Sequence, residues 1–119
     1  MKANYPGIYF LKDYDGEIIY IGKAISISKR IAQHIKERKI KFFSADAISL
    51  ENDLVGLSIA EANSFLGWRE SQYIFKHKPI MNKTNPLDDF ENCKKRFEKL
   101  PLPVRARIIC GLNCIRFPE

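Results

Sequence analysis

Residues 7–24 read GIYFLKDYDGEIIYIGKA. Two runs rich in β-branched and aromatic residues, 7–12 and 17–22, flank Asp15-Gly16. Such runs suit a pleated, half-buried surface, and an Asp-Gly pair between them is a strong hairpin signal. With Asp15 and Gly16 as a two-residue turn, Tyr14 faces Glu17. Counting outward, Leu11 faces Tyr20 and Tyr9 faces Gly22. Alternation sets Tyr9, Leu11, Tyr20 and Gly22 on one face, the two tyrosines as diagonal neighbours within reach of a shared object. A three-residue loop with a bulge would shift the register by one and break this arrangement.

The pattern downstream of the hairpin is helical. Residues 26–38 predict a helix with Ser26 as N-cap and Ile27, Ile31 and Ile35 as its core stripe. Arg30 and His34, four apart, fall at the border of that stripe. From Lys23 to Lys41 there are seven Lys or Arg and one acid, Glu37; such a run is often a solvated face, and here it follows the hairpin directly. Residues 46–51 predict a third strand. A second helix follows over about 58–77, with Ser58 and Glu61 in a capping-box pattern. Its apolar face takes in Ala62, Leu66, Tyr73 and Ile74. Glu70 lies on that same stripe, where a carboxylate costs free energy unless it is paired, protonated or bound to a cation. A salt bridge to Arg30 is the plain reading, slightly favoured by burial alone; a metal ligand or catalytic acid is the functional one. Pro79 ends this helix at or before Lys78. Asn85, Pro86, Asp88 and Asp89 form a good helix start, and Phe90, Cys93, Phe97 and Leu100 give that last helix an apolar seam. One more short helix is expected after it.

The 119 residues make one domain's worth of chain, able to bury a core without metals or disulfides. Nothing approaches the roughly 18 consecutive apolar residues needed to span a bilayer, and the first ten residues hold no long apolar stretch of a secretory signal. The expected location is the cytoplasm. A formal charge of +6 favours an anionic partner, nucleic acid being the commonest, though a basic protein with no such partner carries the same charge. Three cysteines, Cys93, Cys110 and Cys114, are an odd count near the C-terminus. They lack the spacing and histidine of a zinc site, and buried free thiols are the simpler reading.

The hairpin is similar to that of the GIY-YIG nuclease superfamily. Gly7-Ile8-Tyr9 and Tyr20-Ile21-Gly22 match its two name-giving triplets, Lys23 follows the second, Arg30 stands on the first helix and Glu70 on a later one. Pro79 and Asn82 of KPIMN complete the order, so the resemblance covers about residues 5–83. The layout is most similar to the nuclease domain of the bacterial excision-repair endonuclease and to compact stand-alone members. Those repair relatives often carry a tyrosine where this chain has His34. The resemblance implies an α+β fold (an α/β sandwich) with a small, mainly antiparallel three-stranded sheet flanked by helices. It sets a nuclease domain over 1–84 and leaves 85–119 as a helical extension packed on it.

The implied activity is magnesium- or manganese-dependent hydrolysis of phosphodiester bonds in nucleic acid, DNA first. Repair, recombination and mobile-element processing are the settings it suggests, with an accessory or recognition protein as a further partner and no membrane. A catalytically silent or partner-dependent binding module on the same fold is the alternative. A structural protein docking through its last helices is a third reading. Such hydrolysis needs an activated water, donors for the phosphate and help for the leaving oxygen. The resemblance implies Glu70 as metal ligand, Arg30 on the phosphate, Tyr20 and Lys23 in water activation and Tyr9 on the phosphate or the water. It leaves His34 as a proton carrier or phosphate donor, with Gly22 in support and Asn82 anchoring the surroundings of Glu70. Each residue alone is more simply explained by packing or solvation; their joint pattern reverses that.

Overall fold

The structure is a computed structural model that describes residues 4–82, 90–106 and 108, with the backbone alone for 90–93. Its elements in chain order are β1 (Gly7–Lys12), β2 (Ile18–Ala24), α1 (Ile27–Glu37), β3 (Ser44–Ser49), α2 (Ile59–His77) and α3 (Phe90–Glu98), with a 3-10 turn over Asn52–Leu54. The sheet runs β2-β1-β3, both pairs antiparallel, so β1 is central and β2 is an edge. This is the small three-stranded α+β arrangement expected.

The hairpin reaches the expected register by a different route. Its turn has three residues, Tyr14 to Gly16, closed by Asp13 N–H on Glu17 O at 2.9 Å and Gly16 N–H on Asp13 O at 3.0 Å. Asp13 Oδ1 drives this choice by accepting from the N–H groups of both Asp15 and Glu17. Gly16 takes the φ of 88° that this turn requires. Lys12 consequently pairs with Ile18, one step off the expected register. A bulge then absorbs Ile19, and beyond it Leu11 faces Tyr20 and Tyr9 faces Gly22. Two one-residue shifts cancel.

The central strand, β1, is buried on both faces. On one side Ile8, Phe10 and Ile21 pack with Leu50, Phe65, Leu66 and Trp68, and Leu100, Val104 and Ile108 close the same cluster. On the other, Tyr9, Leu11 and Ala24 pack with Ile27 of α1. α2 is squeezed between the sheet and the C-terminal residues, and this is why its buried positions run all round it, from Phe65 through Trp68 to Ser71. Trp68 meets Phe97 at 5.6 Å between ring centroids. Of the face predicted for this helix, Leu66 is buried, and Ala62, Tyr73 and Ile74 are half-buried.

Three local expectations need correction. Ile35 does not join the α1 stripe: Ile27 is buried, Ile31 half-buried and Ile35 61 % exposed, because in the last turn it is His34 that packs on the sheet, against Tyr9 and Tyr20. Ser26 occupies the N-cap of α1 without capping it, since its hydroxyl donates to Asn4 Oδ1 at 2.8 Å. β3 spans 44–49 instead of 46–51; Leu50 turns inward, donating its N–H to Pro6 O at 2.9 Å. The capping box of Ser58 and Glu61 forms as expected, and α2 stops at His77 with Lys78 in the left-handed region before Pro79. Residues 102–106 are helical. The helix start at Asn85, Pro86, Asp88 and Asp89, the side chains of Phe90 and Cys93, and Cys110 and Cys114 all lie outside the described residues. No helix among the described residues is long and apolar enough to cross a membrane.

Candidate active site

The site is assembled around the free edge of β2. An edge strand presents backbone donors and acceptors outward on alternate residues, and these must be satisfied or solvated. Here three different groups take them in order. Met81 N–H donates to Ile19 O at 2.8 Å. The Asn82 side chain then clasps Ile21 from both ends, Oδ1 accepting from its N–H at 2.9 Å and Nδ2 donating to its O at 3.0 Å. The next outward N–H, that of Lys23, is directed at the Glu70 carboxylate. Asn82 therefore mimics one residue of a neighbouring strand. Its bonds go to Ile21, and through them it steadies the backbone that carries Tyr20, Gly22 and Lys23.

On the α1 side of the sheet the aromatic residues converge. Tyr9 is fully buried, and its hydroxyl lies 2.7 Å from His34 Nε2. The rings of Tyr9, Tyr20 and His34 form a triangle, with centroids 6.2 Å apart for the tyrosines and 5.4 Å from each of them to His34. Gly22 makes this possible. The Tyr9 ring lies over its Cα, and a Cβ there would collide with Tyr9 Cζ and the hydroxyl. Arg30, exposed on α1, reaches the Tyr9 hydroxyl from outside.

Burial sets the electrostatics. It pushes the Tyr9 phenol well above the ordinary tyrosine range, and Tyr20 adds to this while Arg30 opposes it. The Tyr20 phenol is also raised, first by burial and then by the Glu70 charge. Burial and the Arg30 charge lower the His34 imidazole, keeping it neutral. Glu70 sits on the α2 side, where burial raises its carboxyl. The Lys23 and Arg96 charges, the Lys23 N–H and Arg30 pull it back, in that order. The anticipated salt bridge to Arg30 is not formed: the ion pair found among the described residues joins Lys12 and Asp46. Arg30 acts on Glu70 only as a lesser charge.

The six candidate residues thus fall into two groups that meet around the β2 edge: Tyr9, Tyr20, Arg30 and His34 on one side, Lys23 and Glu70 on the other. No cluster of three or more His, Cys, Asp or Glu is found among the described residues. A desolvated lone carboxylate is still a suitable donor for magnesium, which binds through one or two carboxylates, keeps several waters and takes further oxygens from phosphate. The residues present fit such an ion, with Glu70 to hold it. The contribution of Arg96 is one the sequence left unseen. It comes from α3, beyond the matching motifs, and only the fold brings it to Glu70.

The chain matches the family model described as the UvrC-like GIY-YIG domain over residues 5–83. It is 36% identical over 116 residues to UvrABC system protein C of Desulfatibacillum aliphaticivorans, covering 87% of this chain and 16% of that protein. The protein of the same name from Methylococcus capsulatus is 36% identical over 71% of this chain and 13% of its own length. That from Thermosipho africanus is 38% identical over 65% and 13%. The chain thus spans well under a fifth of the curated relatives it matches. With the hairpin triplets, the three-stranded sheet and the family match in agreement, the chain belongs to the UvrC-like GIY-YIG domain family.

Proposed function

We propose that this chain is a divalent-metal-dependent endonuclease domain that cuts DNA in excision repair, as one component of a system like that named for its relatives. The observation that carries the reading is the meeting of Glu70 with the buried phenol of Tyr9 and the half-buried phenol of Tyr20 around the β2 edge, beside Arg30 and Lys23. An apolar core has no use for this set, since each hydroxyl and charge in it costs desolvation. The nucleic-acid preference is supported by the +6 charge, and the repair setting by the name its relatives carry.

Glu70 is the residue that would hold the metal, and Lys23 N–H fixes the carboxylate that does so. When bound, a divalent ion supplies a water of lowered pKa and charge against the phosphate oxygens. The chain's own groups do the rest. Arg30, exposed and forked, grips the non-bridging phosphate oxygens. Tyr20, on the same side as Arg30, and Lys23, across the β2 edge beside Glu70, orient the attacking water. Tyr9 is too deeply covered to meet substrate directly in this arrangement; it positions His34 through the contact between its hydroxyl and Nε2. The raised phenol of Tyr20 argues against a standing phenolate, so its hydroxyl orients water while still protonated.

The test is cleavage of a panel of labelled substrates, covering duplex, flap, branched and single-stranded DNA and their RNA counterparts, with magnesium, with manganese and with chelator. Metal-dependent nicking of DNA is the expected result. Binding without turnover on every substrate would favour the silent or partner-dependent module instead.

A further inference from the structure

Beside the catalytic groups, on the α3 side of Glu70, lies a cleft of about 320 Å³. It is lined by Lys23, Asn63, Ser64, Arg96 and Lys99, over a floor of Gly67, Trp68 and Leu100. Its described lining holds three cations, two neutral hydrogen-bonding side chains and no carboxylate. Such a composition disfavours a cationic or purely apolar ligand and suits a sugar–phosphate backbone, where Lys and Arg meet phosphate while Ser and Asn serve as further polar partners.

Gly67 explains how the cations gather. It stands on α2 three residues before Glu70, one helical turn away. Arg96 Nη1 donates to Gly67 O at 2.8 Å. A Cβ at this position would lie 3.1 Å from Arg96 Nη1 and 4.0 Å from Lys23 Cε. The bare Cα therefore eases the approach of an arginine from α3, with a lysine from β2 close by. One of the five guanidinium donors is spent on the Gly67 carbonyl, which fixes the fork and leaves others for a ligand. Lys99, exposed at the rim, closes the end of α3 through its backbone N–H and adds its side-chain charge to the cleft.

We propose that this cleft is a subsite for a backbone phosphate flanking the one that is cut, with Lys99 and Arg96 as its ligands. The inference rests on the endonuclease reading for its substrate and extends it to residues of α3, outside the matched segment 5–83. Lys23 lines the cleft and also faces Glu70, so the strand passes from the scissile position toward α3.

The test pairs Lys99→Gln with a scan of the DNA by neutral methylphosphonate, one linkage at a time. Single-turnover cleavage and equilibrium binding are measured over a salt series. Lys99→Gln is expected to raise KM several-fold, with the larger effect on KM than on kcat. It should also reduce the salt slope of log K by about 0.7–0.9, the value for one lost phosphate contact. One methylphosphonate position, adjacent to the cut and not at it, should weaken the wild type similarly and have no further effect on Lys99→Gln. Arg96→Gln should show the same pattern, with melting curves reporting any loss of its bond to Gly67. Cleaving wild type with an unchanged salt slope in Lys99→Gln, or additive losses at every linkage, would overturn the subsite. If the wild type cuts nothing, the binding arm still decides: a changed slope keeps the subsite while the endonuclease reading falls.

Discussion

The two faces of β1 make a natural contrast. Its even-numbered residues, Ile8 and Phe10, enter a cluster of aliphatic and aromatic side chains that α2 and the C-terminal residues complete. Its odd-numbered residues, Tyr9 and Leu11, enter a smaller cluster toward α1, where polar atoms are buried among apolar ones. Phe10 meets Tyr73 edge-to-face at 5.3 Å, a packing contact. Tyr9, its neighbour in the chain, meets His34 through a hydroxyl. One face is a packed apolar core, and the other buries hydroxyl and imidazole groups at a local desolvation cost. The separation lets chemistry be tuned on one side of a strand without loosening the other.

The strongest challenge to this division comes from Glu70, the α2 residue that joins the two sides. Glu70→Gln should abolish metal-dependent cleavage while raising the melting temperature of the metal-free protein at neutral pH. The sign follows from the raised carboxyl. Between the ordinary value of 4.5 and its higher folded value, the native state binds more protons than the unfolded one, so stability falls as pH rises through that window. Gln removes the penalty. A folded variant that cleaves normally, or melts well below wild type at neutral pH, would break the assignment.

Phe10→Ala tests the other face. It should cost about 3–5 kcal/mol of stability as a cavity in the main core, yet leave the single-turnover rate per folded molecule nearly unchanged. Chemical denaturation beside rate measurement checks both halves. A comparable loss of rate would show that the two faces are coupled.

Gly22→Ala should be intermediate. The added Cβ displaces the Tyr9 ring at about 1–3 kcal/mol, a usual overpacking cost, and activity should fall much more than folding does. A silent Gly22→Ala would mean that Tyr9 can leave its position freely. The hydroxyl alone is probed by Tyr9→Phe, expected to cost about 1 kcal/mol because His34 loses its partner.

The smallest effect should be the acid-side slope of stability due to His34. Its imidazole is lowered when folded, so below the ordinary value of 6.5 the unfolded state takes the proton first. Stability should therefore decline as pH falls from there through the folded value, and His34→Gln should remove that part of the slope. Melting temperatures from pH 7 downward measure it. An unaltered slope would place the titrating group elsewhere.

Much of this arrangement can be read from the chain, for reasons particular to each residue. The capping box of Ser58 and Glu61 is local chemistry and formed as read. The Tyr9–Gly22 pairing was legible although its turn was not, because the Asp13 side chain selects a three-residue turn and the bulge at Ile19 restores the count. Ile35 was misread because helical periodicity reports a face, not which residue of the last turn packs on the sheet. Phe65 and Trp68 lay off the expected stripe because a helix packed on two sides has no single stripe. Glu70 stood out as a charge in an apolar pattern, but Arg96 carried no such mark. Its proximity to Glu70 exists only once α3 has docked.

The clasp between Asn82 and Ile21 joins residues 61 positions apart. The hairpin needs only neighbours and can close within microseconds, whereas a contact across so long a loop carries an entropic cost that local contacts do not. A chain emerging from a ribosome displays both tyrosines, and even the first helix, long before the residue that holds their strand in place. The site therefore cannot be assembled piecemeal. The strand that carries Tyr20, Gly22 and Lys23 is held in place only when the last residues of the matched segment have arrived.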